Sequence, residues 1–230
     1  MIKDDSFLSV CVRNCDFTGI SIFLISQMKG DSKVEKNIIR LVQAADTEEI
    51  LNIYGPYIKE TAITFECETP SIDEFRNRIK EISADYPYIV YVSNEKIIGY
   101  AYAHKQMERA AYQWNAELSV YVDKSHLRYG IGKTLYSVLI EILKLQNVRN
   151  IYGGVTSPNE NSERLHKYFG FRKLGVYHNT GYKCETWHDV MWFEKTIGDY
   201  NLEPRPFVSI KEIDMNIITQ ICRAQTITNS

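Results

Sequence analysis

The sequence predicts an α/β (α+β) domain in which a mixed central sheet is flanked by helices. Three observations predict this fold class. Residues 38–197 alternate between strand-like runs, rich in β-branched and aromatic residues, and amphipathic helical patterns. The alternating strand at residues 117–122 runs through a polar turn into a helical pattern at residues 131–143. Two adjacent strand patterns, at residues 172–182 and 186–193, follow the last helix of the domain.

Size and composition limit the class of protein. A chain of 230 residues with 44% hydrophobic and 24% charged residues is typical of one globular domain with tails. A net charge of −2 argues against a nucleic-acid partner, for which a basic surface is expected. No apolar run in the sequence is long enough to span a bilayer, so no membrane partner is predicted. Five scattered cysteines without a Cys-x-x-Cys pair indicate reduced thiols in a cytoplasm and no metal site.

The domain boundaries follow from where the patterned core begins and ends. Residues 1–37 are predicted to be an N-terminal extension, residues 38–197 the domain, and residues 198–230 a C-terminal extension. The C-terminal extension contains a short amphipathic piece at residues 210–221, which we expect to pack on the domain or on a partner.

Local signals justify the elements in chain order. Asp46, with Glu49 three residues later, predicts a capped helix start, and Pro56 is expected to break or bend that helix. Ser71 and Glu74 repeat the capping-box pattern before a second helix. The predicted strands are residues 38–42, 88–92, 97–104, 117–122, 150–155, 172–182 and 186–193, and the later helices are residues 131–143 and 161–168.

The turn after the central strand is a candidate anion site. It reads RYGIGK at residues 128–133, and backbone N–H groups at a glycine-bearing helix start can surround a phosphate. Arg128 and Lys133 would add positive charge for the same anion. The spacing leaves phosphate binding and a plain turn both open, because the third glycine of a dinucleotide fingerprint and the first glycine of a P-loop are missing.

Three separated segments carry a family resemblance. They are AYQWNAELSVYV at residues 111–122, PNENSERLHKYFGF at residues 158–171 and TWHDVMWF at residues 186–193. In this order they resemble the GNAT superfamily and, within it, the phosphinothricin and methionine-sulfone N-acetyltransferases. The resemblance implies the GNAT acyl-CoA N-acyltransferase fold, acetyl-CoA as co-substrate and a homodimer. One departure is Leu127, which stands where the family's loop usually has Gln or Arg.

Two side chains are candidates for proton transfer. The neighbours of Glu117 on its strand are apolar or hydroxyl-bearing, which predicts partial desolvation and a raised pKa, although a solvent-facing carboxylate is the alternative. The resemblance places Glu117 at the family's general-base position. His166 is predicted to protonate the leaving thiolate or to help deprotonate the amine, and the alternative is a histidine that only packs on its helix face.

The resemblance also implies contacts with acetyl-CoA. The central strand would hold the pantetheine arm as an added strand, the glycine turn would hold the pyrophosphate, and the next helix start would lie near the pantetheine and the adenosine side. A plain core strand and a helix cap at Asn159 are the simpler structural interpretations, and both are compatible with cofactor binding. The predicted cofactor-binding residues are Val120, Tyr121, Val122, Arg128, Tyr129, Gly130, Ile131, Gly132, Lys133, Asn159 and Ser162.

The acceptor contacts follow from the same resemblance. Arg109 would hold a carboxylate or phosphinate bidentately, and Phe65 would form an aromatic wall. Met107 stands where phosphinothricin enzymes tend to have Lys, which favours a smaller or more apolar acceptor such as a methionine-derived amino acid. The predicted substrate-binding residues are Phe65, Arg109, Tyr112, Ser119 and His188.

The function predicted from these residues is that of a cytoplasmic N-acetyltransferase. It would move acetyl from acetyl-CoA to the primary amine of a small amino acid or analogue by direct attack in a ternary complex. Two alternatives stay open. One is an acetyltransferase for a peptide or protein amine, which needs an open acceptor groove, and the other is a non-catalytic acetyl-CoA sensor.

Overall fold

The structure is a computed structural model that describes residues 37–201 and 203–227. All but the last residue of the predicted N-terminal extension therefore lies outside the described residues. No helix in the described part of the chain is both long and apolar enough to cross a membrane. The strands are β1 (Asn37–Leu41), β2 (Tyr88–Ser93), β3 (Lys96–Lys105), β4 (Asn115–Val122), β5 (Asn150–Ser157), β6 (Arg172–Lys183) and β7 (Thr186–Thr196), and the helices are α1 (Thr47–Glu60), α2 (Ile72–Ile82), α3 (Ile131–Leu145), α4 (Glu160–Tyr168) and α5 (Met215–Ile227).

The described strands form one seven-stranded sheet in the order β1-β2-β3-β4-β5-β7-β6. Strands β4 and β5 run parallel, and the other neighbouring strands described here are antiparallel. Helices α1 and α2 cover one face through a core rich in tyrosine, and α3 and α5 cover the other face through an aliphatic core. This is the mixed sheet flanked by helices that the sequence predicts.

An opening in the middle of the sheet organises the rest of the molecule. Strands β4 and β5 are paired only where residues Asn115 to Glu117 face Asn150 to Tyr152. Both strands continue beyond this point, and each stays paired on its outer side, β4 with β3 and β5 with β7. Their inner edges therefore separate toward their carboxyl ends. We call this opening the β4–β5 fork, with its apex at Glu117 and its mouth where α3 and α4 begin.

The predicted capping box at Asp46 and Glu49 is wrong, because tertiary partners take both carboxylates. Asp46 accepts hydrogen bonds from both terminal nitrogens of Arg40 at 2.6 and 2.8 Å and from the Gln43 amide at 2.7 Å. Glu49 Oε2 accepts from the amide of Ile97 at 2.8 Å, so it joins α1 to the start of β3. Burial of the helix against the sheet outweighs the local cap.

The other local helix signals have mixed outcomes. Helix α1 runs unbroken through Pro56, so the predicted break is absent. Buried Tyr54 and Ile58 on either side of the proline fix the helix on the sheet, which offsets one missing backbone hydrogen bond. The capping box at Ser71 and Glu74 is confirmed, since each side chain accepts from the other residue's amide, at 3.3 and 2.8 Å.

The C-terminal segment packs on the domain, which is the first of the two expectations for it. Ile218 and Cys222 of α5 are buried in the same core as α3. Ahead of α5, the carbonyl of Arg205 accepts from Trp114 Nε1 at 2.7 Å, just before β4 begins. The side-chain Nε2 of Gln146 donates to the carbonyls of Asp85 and Val208, which ties the end of α3 to this segment. The boundary at residue 197 therefore does not end the hydrophobic core.

Candidate active site

The start of α3 lies at the mouth of the fork. Gly130 has a φ of +81°, in the left-handed region that favours glycine, and it precedes the first helical residue. The first helical hydrogen bond runs from the Thr134 amide to the Gly130 carbonyl at 3.0 Å. The amides of Ile131, Gly132 and Lys133 therefore precede this ladder and point out of the positive end of the helix. A Cβ added at Gly132 would lie 4.0 Å from the side chain of Val120, so these amides border β4.

The free edge of β4 presents only alternate backbone groups. The Asp123 amide donates to the carbonyl of Ile98, so the backbone groups of Asp123 face β3. Backbone groups alternate sides along a strand, and those of Val120 and Val122 therefore face the fork. Tyr121 is paired with β3, and its ring packs on the tyrosine face. The expectation that its backbone groups hold the cofactor is therefore corrected by strand geometry.

Basic and aromatic side chains surround the mouth of the fork. Lys133 Nζ lies 3.9 Å from the centre of the Tyr168 ring, a cation–π contact that joins α3 to the end of α4. Tyr129 is 75% exposed and Arg128 is exposed, so both side chains are open to a ligand.

The start of α4 forms the other side of the mouth. Asn159 is the helix cap, because its Oδ1 accepts from the Ser162 amide at 3.1 Å. The capping alternative for Asn159 therefore holds, and its oxygen is already engaged. Since β4 and β5 are parallel, the helices that follow them begin at the same end of the sheet, which brings both predicted cofactor segments together.

Glu117 stands at the apex, as the last residue of β4 that pairs with β5. Its Oε1 lies 3.6 Å from where a Cβ would stand on Gly154, beside the ring of Trp192. Burial raises the pKa of Glu117, and the charge of His104 opposes this by lowering it. The prediction of a partly desolvated carboxylate is thus confirmed.

His166 lies on the opposite face of the sheet from Glu117. A Cβ added at Gly153 would lie 2.2 Å from His166 Nε2, whereas the next residue, Gly154, faces Glu117. The ring is 2% exposed, and burial lowers its pKa, so it is neutral. Nδ1 lies 2.8 Å from the Ser162 carbonyl, which can only accept, so the ring proton is on Nδ1. Nε2 is then left without a proton to donate, and this geometry does not support the predicted donation to a thiolate.

Three elements contribute residues to the side of the apex where acceptor contacts were predicted. Phe65, between α1 and α2, lies on Gly181 of β6, where an added Cβ would fall 2.4 Å from its ring. Its ring centre is 6.3 Å from that of His188, whose Nε2 contacts the Lys183 carbonyl at 2.9 Å. Ser119 of β4 pairs with Tyr102 of β3 and lies on the same face as Glu117. The structure therefore brings Phe65, Ser119 and His188 to one side of the sheet.

Arg109 and Tyr112 lie in the β3–β4 connection. Tyr112 is 38% exposed, and Arg109 is exposed as well. Among the described residues, no hydrogen bond or ion pair joins either side chain to Glu117. Met107 is 46% exposed in the same connection.

Several polar residues of the site were missed by sequence reasoning. Tyr54 donates to Glu66 at 3.0 Å, and Arg78 donates to the same carboxylate at 2.6 Å. Arg78 and Glu117 both act on the pKa of Tyr102, which burial raises, so this network adjoins the acceptor side. His104, which lies opposite Glu117 on the neighbouring strand, was also missed. Strand alternation in the sequence could have identified His104, because it places Tyr100, Tyr102 and His104 on one face of the sheet.

A forked mixed sheet, with helix amides at its mouth and a half-buried carboxylate at its apex, defines the acyltransferase class. The family model described as acetyltransferase (GNAT) domain matches residues 39–192, and the chain belongs to this family. It is therefore an N-acetyltransferase by family, as the resemblance predicted.

Named relatives and solved structures agree with the family. A phosphinothricin N-acetyltransferase from Streptomyces viridochromogenes is 32% identical over 76% of this chain and 95% of its own length. An L-methionine sulfoximine/L-methionine sulfone acetyltransferase from Salmonella typhimurium is 28% identical over 70% of this chain and 95% of its own length. A phosphinothricin acetyltransferase from Sinorhizobium meliloti, solved with AcCoA, has a TM-score of 0.72, with 30% identity over 75% of this chain and 95% of that one.

Proposed function

We propose that this protein transfers acetyl from acetyl-CoA to the primary amine of a small amino acid or analogue of the phosphinothricin or methionine-sulfone type. The observation that carries the proposal is the β4–β5 fork, with helix amides at its mouth and Glu117 at its apex. The names of its relatives support the acceptor class.

Acetyl-CoA fits the fork as an extended ligand. Its pyrophosphate would accept hydrogen bonds from the first amides of α3, and its pantetheine arm would pair with the free groups of Val120 and Val122. The Val122 carbonyl already accepts from Tyr57 at 2.7 Å, so Val120 is the freer partner. The thioester then reaches the apex beside Glu117.

The reaction needs one base and one oxyanion donor. Glu117 takes a proton from the ammonium, and the amine attacks the thioester carbon directly. A backbone N–H on the free edge of β4 stabilises the carbonyl oxygen as it becomes negative. His166 is buried on the opposite face of the sheet with its proton on Nδ1, so it is not proposed as the proton donor to the thiolate.

Tyr168 is expected to support cofactor affinity through Lys133. Because a cation–π contact contributes about 0.5–2 kcal/mol, Tyr168→Leu should raise the Kd of acetyl-CoA about 2- to 10-fold. Tyr168→Phe keeps the ring and should bind like the wild type. Isothermal titration calorimetry measures both variants, and equal affinities would contradict the role of the ring.

Two arginines compete for the carboxylate of the acceptor. The family resemblance favours Arg109, whereas Arg78 lies nearer the tyrosine face and is shared with Glu66. Arg109→Gln is expected to raise the KM for the acceptor about 10-fold at unchanged kcat, because uniform binding is lost. Arg78→Gln is the matched comparison in the same steady-state assay, and a larger rise in that variant would transfer the role to Arg78.

A second copy of this chain is the proposed partner. The edge strand β6 and its hairpin with β7 expose Tyr177, Tyr182 and Trp187, each by 59%. An aromatic edge strand of this kind favours pairing with another chain. Tyr177→Glu is expected to shift sedimentation equilibrium toward the 26.7 kDa monomer, whereas Tyr200→Glu, at an equally exposed site, should not. A wild-type monomer would overturn the proposal.

The proposed activity is tested by thiol release from acetyl-CoA against an acceptor panel. The panel contains phosphinothricin, methionine sulfone, methionine sulfoximine, free amino acids, polyamines and peptides. Release with the small amino acids supports the proposal, and release with peptides alone would favour the peptide acetyltransferase. Tight acetyl-CoA binding without release from any acceptor would favour the sensor.

A further inference from the structure

We propose that His104 is a positioning residue for Glu117, holding its carboxylate ionised and carrying its proton to solvent after each turnover. The inference rests on the proposed function, because it needs Glu117 to act as the base.

The cross-strand register places the two side chains opposite each other. His104 of β3 pairs directly with Glu117 of β4. The Asp123 amide donates a hydrogen bond to the Ile98 carbonyl, and because such pairs alternate along two antiparallel strands, His104 and Glu117 also form a hydrogen-bonded pair. Residues in such a pair project on the same face with β-carbons about 5 Å apart. Among the described residues, no ion pair within 4.0 Å joins them. The proposal therefore places a bridging water molecule between the two side chains.

The tautomer of His104 suits it to accept a proton. Nδ1 lies 2.9 Å from the Lys105 carbonyl. A carbonyl oxygen can only accept, so Nδ1 carries the hydrogen and the neutral ring keeps its lone pair on Nε2. His104 is also partly exposed, which gives a proton on Nε2 a route to water.

The groups around the pair leave His104, when its ring is protonated, as the partner that favours the ionised carboxylate of Glu117. Tyr102 from β3, Trp192 from β7 and the more distant Tyr136 from α3 surround the carboxylate without adding positive charge. Two other cations on neighbouring elements are already paired, Arg78 with Glu66 at 2.6 Å and Lys105 with Glu108 at 3.6 Å. Burial raises the pKa of Glu117, and His104 is the charge that lowers it.

One histidine is enough to account for every proton that the reaction moves. Glu117 takes one proton from the acceptor ammonium, and the amine forms the new C–N bond as the C–S bond to coenzyme A breaks. The nitrogen's second proton neutralises the thiolate. The proton on Glu117 moves through water to Nε2 of His104 and then to solvent, which returns the carboxylate to its basic form.

The test is chemical rescue combined with a pH profile. His104→Ala is expected to lower kcat about 10-fold at neutral pH, a relay being worth less than the base itself, and added imidazole should restore most of this loss. The acid limb of kcat/KM should move to higher pH, because Glu117 loses the charge that favours its ionised form. The affinity for acetyl-CoA should not change.

His178→Ala, at a histidine 73% exposed on β6, is the control and should behave as the wild type.

Each outcome separates this inference from the proposed function. Glu117→Gln should be slow and not rescued by imidazole. If Glu117→Gln is inactive, but His104→Ala keeps the wild-type pH profile of kcat/KM and gains nothing from imidazole, the role of His104 alone is overturned. A fully active Glu117→Gln would overturn both. Circular dichroism of His104→Ala checks the fold, and His104→Gln, which keeps a hydrogen-bond donor but no base, should show the same loss if His104→Ala is unstable.

Discussion

Replacement of Glu117 by glutamine is expected to lower kcat about 10²-fold, which corresponds to about 2.7 kcal/mol of transition-state stabilisation. Glutamine has the same shape and remains beside Trp192 and Gly154, but it cannot take a proton from the ammonium. Acetyl-CoA should bind as tightly as before, because the amides proposed to bind its pyrophosphate lie at the other end of the fork. Single-turnover kinetics and titration calorimetry measure the two quantities separately.

The pH profile gives a second readout for the same residue. Burial raises the pKa of Glu117, so the acid limb of kcat/KM should lie at higher pH than for an exposed glutamate. Activity is present when the carboxylate is ionised and is lost as the pH falls through this value. Glu117→Gln should lack the limb altogether. Turnover that survives the substitution intact would exclude Glu117 as the base.

Replacement of Gly153 by alanine is expected to lower the free energy of unfolding by about 1–3 kcal/mol, the usual cost of overpacking a core. The added Cβ would fall 2.2 Å from His166 Nε2. The ring cannot retreat, because its centre lies 4.9 Å from that of Phe171 and 5.0 Å from that of Phe193. Gly153 is also the first residue of β5 beyond the paired apex, so turnover should fall with stability.

Gly175→Ala is the matched control for this substitution. Gly175 is also a strand glycine, and an alanine Cβ there meets nothing within 4 Å. Urea denaturation should show equal or slightly higher stability for this variant. If Gly153→Ala is as stable as Gly175→Ala, the close contact between β5 and His166 is not a constraint on the fold.

Local signals predicted the elements well where neighbouring residues satisfy one another. The capping box of Ser71 and Glu74 is closed within three residues, and Gly130 adopts the left-handed φ that the turn requires. The box predicted at Asp46 failed because Arg40, on the preceding strand, takes its carboxylate. A sequence window shows which side chain can cap a helix, but not which distant group competes for it.

The site was only partly predictable for the same reason. The glycine turn and Glu117 could be found because they are contiguous with the central strand. The two faces of the sheet could not be assigned across β5, so the role predicted for His166 did not take into account that Gly153 faces His166 whereas Gly154 faces Glu117. His104 was missed because its relation to Glu117 depends on strand register.

The chain's own residues specify the order of strands and helices, the glycine-bearing start of α3 and the family, since each depends on contacts within a few residues or on contiguous motifs. Pairing across the sheet decides the rest. It opens β4 from β5 beyond Glu117, turns the backbone of Tyr121 toward β3 and sets His104 opposite the carboxylate. These relations join residues far apart in the chain, and only the packed sheet fixes which of them meet.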